Sequence, residues 1–384
     1  MNFLDGLALA NLLLLIGGYI DVTRGNRSIA QLGNESPLPK NVRVPMVSII
    51  AAARNEERHI EQALKSLLKL DYPALELVIV NDRSEDRTAE ILARLSDQDQ
   101  RLKIVQVETL PDGWLGKNHA LSAGSRKAQG ELLLFTDADI YMEPGLLKKA
   151  VHLLLERNLD HLVASPRLIM PGVFLQMVGL AFMMIFAMFS RPWKACDPSS
   201  HFHIGIGAFN LVRATAYHAV GGHHPIRLRP DDDLKLGKLM KMNGFRQDIA
   251  AAPELMHVEW YASVREMIVG LEKNAFAGCD YRLWMAGGGI VMLLVFGIWP
   301  FLALLMTQGL AWWFYLATVL IILAMQIDCA RANRLPGWYA IGWPLAAGLF
   351  TWIIARTAWL NLSHGGITWR GTFYPLEELK KNRI

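Results

Sequence analysis

Leu132-Leu-Leu-Phe-Thr-Asp-Ala-Asp139 is the stretch that decides the fold. Four apolar residues run into two carboxylates, Asp137 and Asp139, spaced i and i+2. A short apolar run bounded by polar residues reads as a buried strand of a parallel sheet. Ligands of open α/β sheets bind at the carboxyl ends of such strands. Two acids there make a hard, oxygen-rich site suited to Mg²⁺ or Mn²⁺, which in turn holds a diphosphate. Surface turns are rich in Asp, so the pair alone is weak, but it has partners upstream. Val78-Ile-Val-Asn-Asp82 is a second apolar strand ending in an acid, followed by the polar turn Arg83-Ser-Glu-Asp-Arg-Thr88. Val47-Ser-Ile-Ile-Ala-Ala52 is a third, running into Arg54-Asn-Glu-Glu57.

Taken in order, these three stretches resemble the inverting glycosyltransferases of family 2. The resemblance covers 45–277 and implies an α/β fold of the GT-A type, a Rossmann-like sheet that binds a nucleotide sugar. In that family the acids after the first and second strands recognise the nucleoside. Glu56 and Asp82 hold those positions, contacting ribose and base respectively; helix capping and a turn role are the plainer alternatives. By the same resemblance Asp137 touches the ribose, or the metal through water, and Asp139 ligates the metal directly. One or two side chains cannot fill an octahedral shell, so the diphosphate and waters complete it.

Between the strands, 54–68 carries Ile60, Ala63, Leu64, Leu67 and Leu68 on one helical face, and a further helix spans 89–95. Leu110-Pro-Asp-Gly-Trp-Leu-Gly-Lys-Asn-His119 reads as a glycine-punctuated loop entering a helix at Ala120. Its lysine, Lys117, can reach a phosphate or ribose as a mobile charge, and the loop resembles one in bacterial membrane-bound members acting on lipid-like acceptors. The segment 202–213 matches the family's acceptor-side strand, in which small residues let a sugar lie against backbone. His201 and His203 would alternate onto one face of that strand, a conceivable metal pair without a nearby carboxylate.

Pro230-Asp-Asp-Asp-Leu-Lys-Leu-Gly237 carries the proposed chemistry. An inverting transfer needs a carboxylate to deprotonate the acceptor hydroxyl as it attacks, and clustered acids raise one another's pKa. The family pattern aligns on Asp232, Asp233, Leu236 and Gly237, making Asp233 the base and Asp232 its neighbour. Asp231 is the one-residue-shift alternative, and N-capping of a helix 234–242 the structural one. The Gln-x-x-Arg-Trp pentad of processive members is absent from the chain, which puts polymer synthesis in doubt. In its place 258–274 has an amphipathic pattern from which Arg265 or Lys273 could neutralise a leaving diphosphate.

Hydrophobicity gathers at the ends. The stretch 3–20 reads as an uncleaved anchor within a segment 1–23, and 286–306, 310–327 and 338–355 are long enough to span or nearly span a bilayer. Tryptophans 284, 312, 313 and 338 crowd their ends like an aromatic belt. We therefore expect an anchor at 1–23, a catalytic domain at 45–280, transmembrane helices within 284–358 and a tail at 359–384. Apolar 172–190 lies between metal and base motifs; we expect an interfacial helix, with core packing the alternative. Arg24, Arg27, Lys40 and Arg43 follow the first anchor and place the catalytic segment in the cytoplasm of a multi-pass inner (plasma) membrane protein. Three full spans would carry the basic tail 380–383 outside, against that rule. A tail sequence, Gly366-Ile-Thr-Trp-Arg-Gly-Thr-Phe-Tyr374, is similar to tails of membrane-bound members, and Arg370 could approach the diphosphate. A net charge of +4 is too mild to argue for nucleic acid, and three scattered cysteines argue against structural zinc.

The function these features imply is metal-dependent inverting transfer of one sugar, from a nucleotide-diphosphate sugar to a membrane lipid hydroxyl. Two alternatives stay open: transfer to a polyprenyl phosphate, and a non-catalytic lipid- or partner-binding scaffold.

Overall fold

The computed structural model describes residues 2–36 and 43–384; Met1 and Lys40 lie outside the described residues. The chain forms two compact units. A sheet unit comprises Ile29–Leu168, Pro192–Glu259 and Lys381–Ile384, and a helical unit comprises Met1–Ser28, Ile169–Arg191 and Trp260–Lys380. The expected continuous block 45–280 is thus divided, since 169–191 and 260–280 group with the helices.

The sheet unit is built on β1 (Ala30–Gln31), β2 (Val47–Ala53), β3 (Leu75–Asp82), β4 (Leu102–Val107), β5 (Leu132–Asp137), β7 (His161–Ser165), β9 (Asn210–Arg213) and β10 (Gln247–Ala251). Their order is β1-β10-β7-β9-β5-β2-β3-β4. Short strands β6 (Ile140–Met142), β8 (Arg167–Ile169) and β11 (Met256–Glu259) form a separate sheet. In the large sheet β9 runs antiparallel between β5 and β7, and the other pairings are parallel.

Parallel strands covered on both faces read as continuous apolar runs, and the period of two sorts them. Ile49, Ala51, Leu77, Ile79, Leu132 and Leu134 enter one core; Ile50, Val78, Leu133 and Phe135 enter the other. The first core is closed by α2 (Ile60–Leu68), α3 (Thr88–Gln98) and α5 (Leu146–Glu156), the second by α4 (Gly116–Ser125), α7 (Ala214–Ala219) and α8 (Asp232–Met242). In register, Ala52 faces Asp137 and Ala53 faces Asn81, so β2, β3 and β5 end together at one edge.

Three local expectations are corrected. The helix after β2 starts at Ile60 rather than at 54, because Asn55 takes φ 57° and the loop is stitched to the next one. There the Glu56 N–H donates to Thr88 Oγ1 and the Glu85 N–H to Asn55 Oδ1. The N-cap residue of α2 is His59, not Glu56. Next, α4 starts at Gly116 rather than Ala120, which puts Lys117 on its first turn instead of in a flexible loop. Finally, 202–209 is irregular and only Asn210–Arg213 is strand. His201 and His203 therefore share no strand face, and among the described residues no three His, Cys, Asp or Glu side chains are placed to hold a metal together.

The helical unit contains α1 (Phe3–Ser28), α6 (Val173–Ser190), α9 (Val264–Glu272), α10 (Leu283–Met292), α11 (Trp299–Met306), α12 (Gly309–Ala332), α13 (Trp343–Ser363), the hairpin β12 (Gly366–Trp369) and β13 (Thr372–Pro375), and most of α14 (Leu376–Lys381). Among the described residues, five helical stretches are long and apolar enough to cross a membrane by length and composition: Phe3–Ser28, Val173–Lys194, Leu283–Met306, Gly309–Ala332 and Gly337–Ser363. A π-helical turn at Leu293–Ile298 joins α10 to α11. In its i→i−5 ladder the carbonyl of Val295 would meet the N–H of residue 300, but that residue is Pro300. The side chain of Asn11 takes the place, Nδ2 donating to Val295 O at 3.0 Å. An apolar helix can carry such a break only where side chains satisfy the freed carbonyls.

Candidate active site

Asp137 closes β5, and its Oδ1 lies 2.8 Å from Lys117 Nζ. The same ammonium stands 3.4 Å from Asp232 Oδ1 at the start of α8. Lys117 thereby joins the strand-end acid to the helix that carries Asp232 and Asp233. Burial works against its charge, yet Asp137, Asp232 and Asp233 outweigh that and hold it above the ordinary lysine range. Asp137, Lys117, Asp232 and Asp233 line one cavity together with Thr136, Gly207, Asn210 and His223.

On the strand side, the Asp139 carboxyl is pushed up to about 7, first by burial and then by the carboxylates of Asp137 and Glu56. The acids after β2 and β5 are therefore near neighbours. Asp82 is buried, and Arg83 grips it through Nε at 2.8 Å and Nη2 at 3.0 Å. It faces the first turn of α4: a Cβ on Gly116 would lie 2.6 Å from Asp82 Oδ2. That close approach is why the helix can begin at a glycine there.

On the helix side the three consecutive acids have three different fates. Asp231 accepts from Arg229 Nε at 2.9 Å and Nη2 at 3.0 Å, with Arg229 fully buried. It makes no side-chain cap on α8. Asp232 is buried against Lys117. Asp233 is half-buried and pushed up to about 7, by burial first and the Asp232 carboxylate second. Repulsion within the cluster therefore contributes, as its composition suggests, but burial is the larger cause. Asn118 braces the preceding loop, its Nδ2 donating to the carbonyls of Ile226 at 2.8 Å and Arg229 at 2.9 Å.

The segment 204–208 connects the two sides. A Cβ on Gly205 would lie 1.8 Å from the Asp233 carbonyl oxygen, and one on Gly207 would lie 2.5 Å from Asp137 Oδ2. The Asp137 N–H donates to Gly207 O at 2.9 Å, and Thr136 Oγ1 to Ala208 O at 2.8 Å. These glycines were expected to make room for a sugar; in the fold they make room for the two acids. His223 is wholly enclosed, 2.7 Å from Tyr217 OH and edge-on to Phe135, and burial pushes it down to about 3. From the sequence alone Thr136, Asn210 and His223 have no role in the site, Gly221-Gly222-His223-His224 reading as the turn before the base motif; Asn210, ahead of the apolar Leu211 and Val212 of β9, was the available signal. Arg265, Lys273 and Arg370 belong to the helical unit, where Lys273 Nζ lies 4.2 Å over the Trp369 ring.

Comparison with known proteins bears on this arrangement. Residues 48–220 match the model of Glycosyl transferase family 2. The probable glycosyltransferase YdaM of Bacillus subtilis is 34% identical over 134 residues, 34% of this chain and 30% of that protein. The beta-monoglucosyldiacylglycerol synthase of Nostoc sp. is 37% identical over 112 residues, 29% of this chain and 24% of that protein. The chain spans less than half the length of these curated relatives. Among solved structures, the mannosyltransferase PcManGT from Pyrobaculum calidifontis, in complex with GDP-Man and Mn²⁺, superposes with a TM-score of 0.53 at 19% identity, over 94% of this chain and 98% of that one. The fold is thus the mixed α/β sheet of the GT-A type accompanied by long apolar helices.

Proposed function

From a chain whose residues 48–220 form a family 2 glycosyltransferase domain, we propose metal-dependent, inverting transfer of a single sugar from a nucleotide-diphosphate sugar to a membrane lipid hydroxyl. The observation that carries the reading is the Lys117 bridge, which brings the acids of β5 and those of α8 to one cavity. Donor and acceptor chemistry need that proximity.

In this reading Asp233 accepts the proton of the acceptor hydroxyl. The oxygen forms its bond to the anomeric carbon on the face opposite the diphosphate, and the carbon–oxygen bond to the diphosphate breaks. Asp232 keeps Asp233 basic and is itself neutralised by Lys117. Asp82 and Glu56 meet the nucleoside. Asp137 and Asp139 fit a divalent cation: two hard oxygen donors at a strand end, with Glu56 adding charge that now pushes Asp139 toward neutrality. Bound there, Mg²⁺ or Mn²⁺ would neutralise charge on the diphosphate.

A lipid acceptor is supported by the apolar helices and by the similarity to a glucosyldiacylglycerol synthase over part of the chain. Connectivity constrains the route. Leu168 and Pro192 both belong to the sheet unit, so 169–191 leaves it and returns with one helix, α6. A helix that crossed would strand the chain on the far side, so we read α6 as dipping into the leaflet. By the same parity, three apolar stretches lie between Glu259 and Lys381, and an even number must cross. Gly337–Ser363, with the lowest mean hydropathy of the three at 1.3 against 2.5 and 2.0, is the one we assign to re-entry. The tail then stays on the side of the sheet, removing the conflict its basic residues posed. The Arg24, Arg27 and Arg43 charges favour the cytoplasmic side.

Detergent-purified protein incubated with Mn²⁺, labelled nucleotide sugars and membrane lipid extract should yield one labelled glycolipid, and a chelator should stop it. Nucleotide-sugar turnover undiminished in excess chelator would exclude the metal-bridged donor. A product on polyprenyl phosphate, with an active Asp233→Asn variant, would replace the acceptor assignment. Absence of nucleotide binding would return the chain to a scaffold role.

A further inference from the structure

A buried polar relay crosses three strands beneath the site. His161 on β7, Asn210 on β9 and Gln247 on β10 are 49 and 37 residues apart in the chain (210 − 161 and 247 − 210), and the sheet order β10-β7-β9 makes them neighbours. His161 is fully buried, and Asn210 and Gln247 are each 2% exposed.

Backbone groups at its ends fix every donor and acceptor. Asn210 Nδ2 donates to the Ile206 carbonyl at 3.0 Å, so Oδ1 faces His161 Nε2 at 3.0 Å and that nitrogen carries the proton. His161 Nδ1 is then an acceptor, and Gln247 Nε2 donates to it at 2.7 Å. The same amide donates to Gly237 O at 3.0 Å on α8, while Gln247 Oε1 accepts the Ile204 N–H at 2.8 Å. All side-chain atoms in the chain of bonds are satisfied, and the groups held are the two ends of 204–206 and the helix that bears Asp233. Loop and helix are in contact as well: a Cβ on Gly237 would lie 1.8 Å from Ile204 O.

We propose that the His161–Asn210–Gln247 relay is a positioning device that locks the 204–208 loop against α8 and so sets the separation of Asp137 from Asp233. The cavity face of the loop contacts both acids; of the relay, Asn210 reaches the cavity wall, while His161 and Gln247 lie behind it. A fully satisfied buried network rigidifies what it holds, and misplacement by about 1 Å can cost about 10²-fold in rate. Loss of the relay therefore slows transfer while donor binding, made at the β2, β3 and β5 ends, persists. The kinetic half of this inference rests on the proposed transfer reaction; the structural half does not.

The test uses the full-length protein in detergent. Gln247→Leu cuts the relay from Ile204 and Gly237, and the Ile204 amide should lose hydrogen-exchange protection. Its kcat should fall about 10- to 100-fold with the donor KM within twofold. Gln247→Glu keeps the Ile204 bond and loses both donated ones, so it should fall several-fold and remains informative should the leucine variant not fold. Ser48→Ala, which removes a buried bond to Glu76 at the opposite end of β2, should lower the melting temperature with kcat unchanged. Wild-type kcat in either Gln247 variant, or a kcat loss in Ser48→Ala matching theirs at equal destabilisation, overturns the proposal. A wild-type protein without transferase activity, whose Ile204 amide still loses protection in Gln247→Leu, overturns the transfer reading and leaves the relay standing.

Discussion

The two acidic clusters of the site are alike in composition and unlike in environment. At the ends of β2 and β5, Glu56, Asp137 and Asp139 gather so that burial and mutual repulsion drive Asp139 up to about 7. At the start of α8, Arg229 holds Asp231, the Leu234 N–H donates to Asp233 at 2.7 Å, and Asp232 shares Lys117 with Asp137. In the first cluster Asp137 takes the closer contact with Lys117 and Asp139 keeps the raised carboxyl, an oxygen-donor set that suits a cation arriving with the donor. The second likewise leaves one carboxyl, Asp233, raised to about 7, but it stands on a helix beside two acids held by Arg229 and Lys117, which suits a base. Sequence proximity of acids thus says little about their chemistry until their partners are known.

The comparison breaks most visibly at Asp139. Asp139→Asn should abolish measurable turnover and weaken nucleotide-sugar binding in Mn²⁺, because an amide is a poor substitute for a carboxylate ligand. Calorimetric titration of the donor checks it; wild-type affinity would remove Asp139 from the metal site. Asp233→Asn should instead leave donor affinity intact and cost about 10²–10⁴-fold in kcat, the usual range for a lost general base. A large loss in Asp232→Asn with none in Asp233→Asn would move the base by one residue. On the acceptor side of the pH profile, a base near 7 must be ionised to work. We expect kcat/KM for the acceptor to fall about tenfold per pH unit below 7, and that limb to vanish in Asp233→Asn. A flat profile between pH 5 and 7 would contradict the assignment.

Asp231 sharpens the contrast differently, since its effect should fall on stability. Asp231→Asn removes the carboxylate that grips a fully buried guanidinium through two hydrogen bonds, at a cost of about 3–5 kcal/mol. The check is chemical denaturation, where loss of activity without loss of stability would give Asp231 a chemical role after all. The last effect concerns acid. His161 and His223 are buried and held down to about 4 and about 3, so the folded protein refuses protons that the unfolded chain accepts below about 6.5. Their stabilising contribution is whole above about pH 6.5 and drains away as pH falls toward 4 and then 3. Melting temperatures that stay constant across that window would show that neither histidine is excluded from protonation.

How much of this was legible in the residues differs element by element. The strands β2, β3 and β5 and their terminal acids were readable, because an apolar run that must be covered on both faces and then stops at a carboxylate has few alternatives. The start of α4 was not, since it depends on Gly116 fitting against Asp82 from another strand. The irregular 202–209 read as strand because its composition is permissive; what bends it is the approach of Gly205 and Gly207 to the backbone of α8 and to Asp137. Local pattern carries no record of such contacts.

By itself the sequence determined the α/β sheet, the apolar helices and the position of the acids, since these follow from period, run length and hydropathy within short windows. Only the tertiary structure decided which acid is paired with which cation. It decided too that Lys117 stands between Asp137 and Asp232, and that His161, Asn210 and Gln247 meet under the loop. Those outcomes depend on strand order, which brings residues distant in the chain within hydrogen-bond range. In a buried, low-dielectric interior the nearest partner sets the charge, the tautomer and the role of each group.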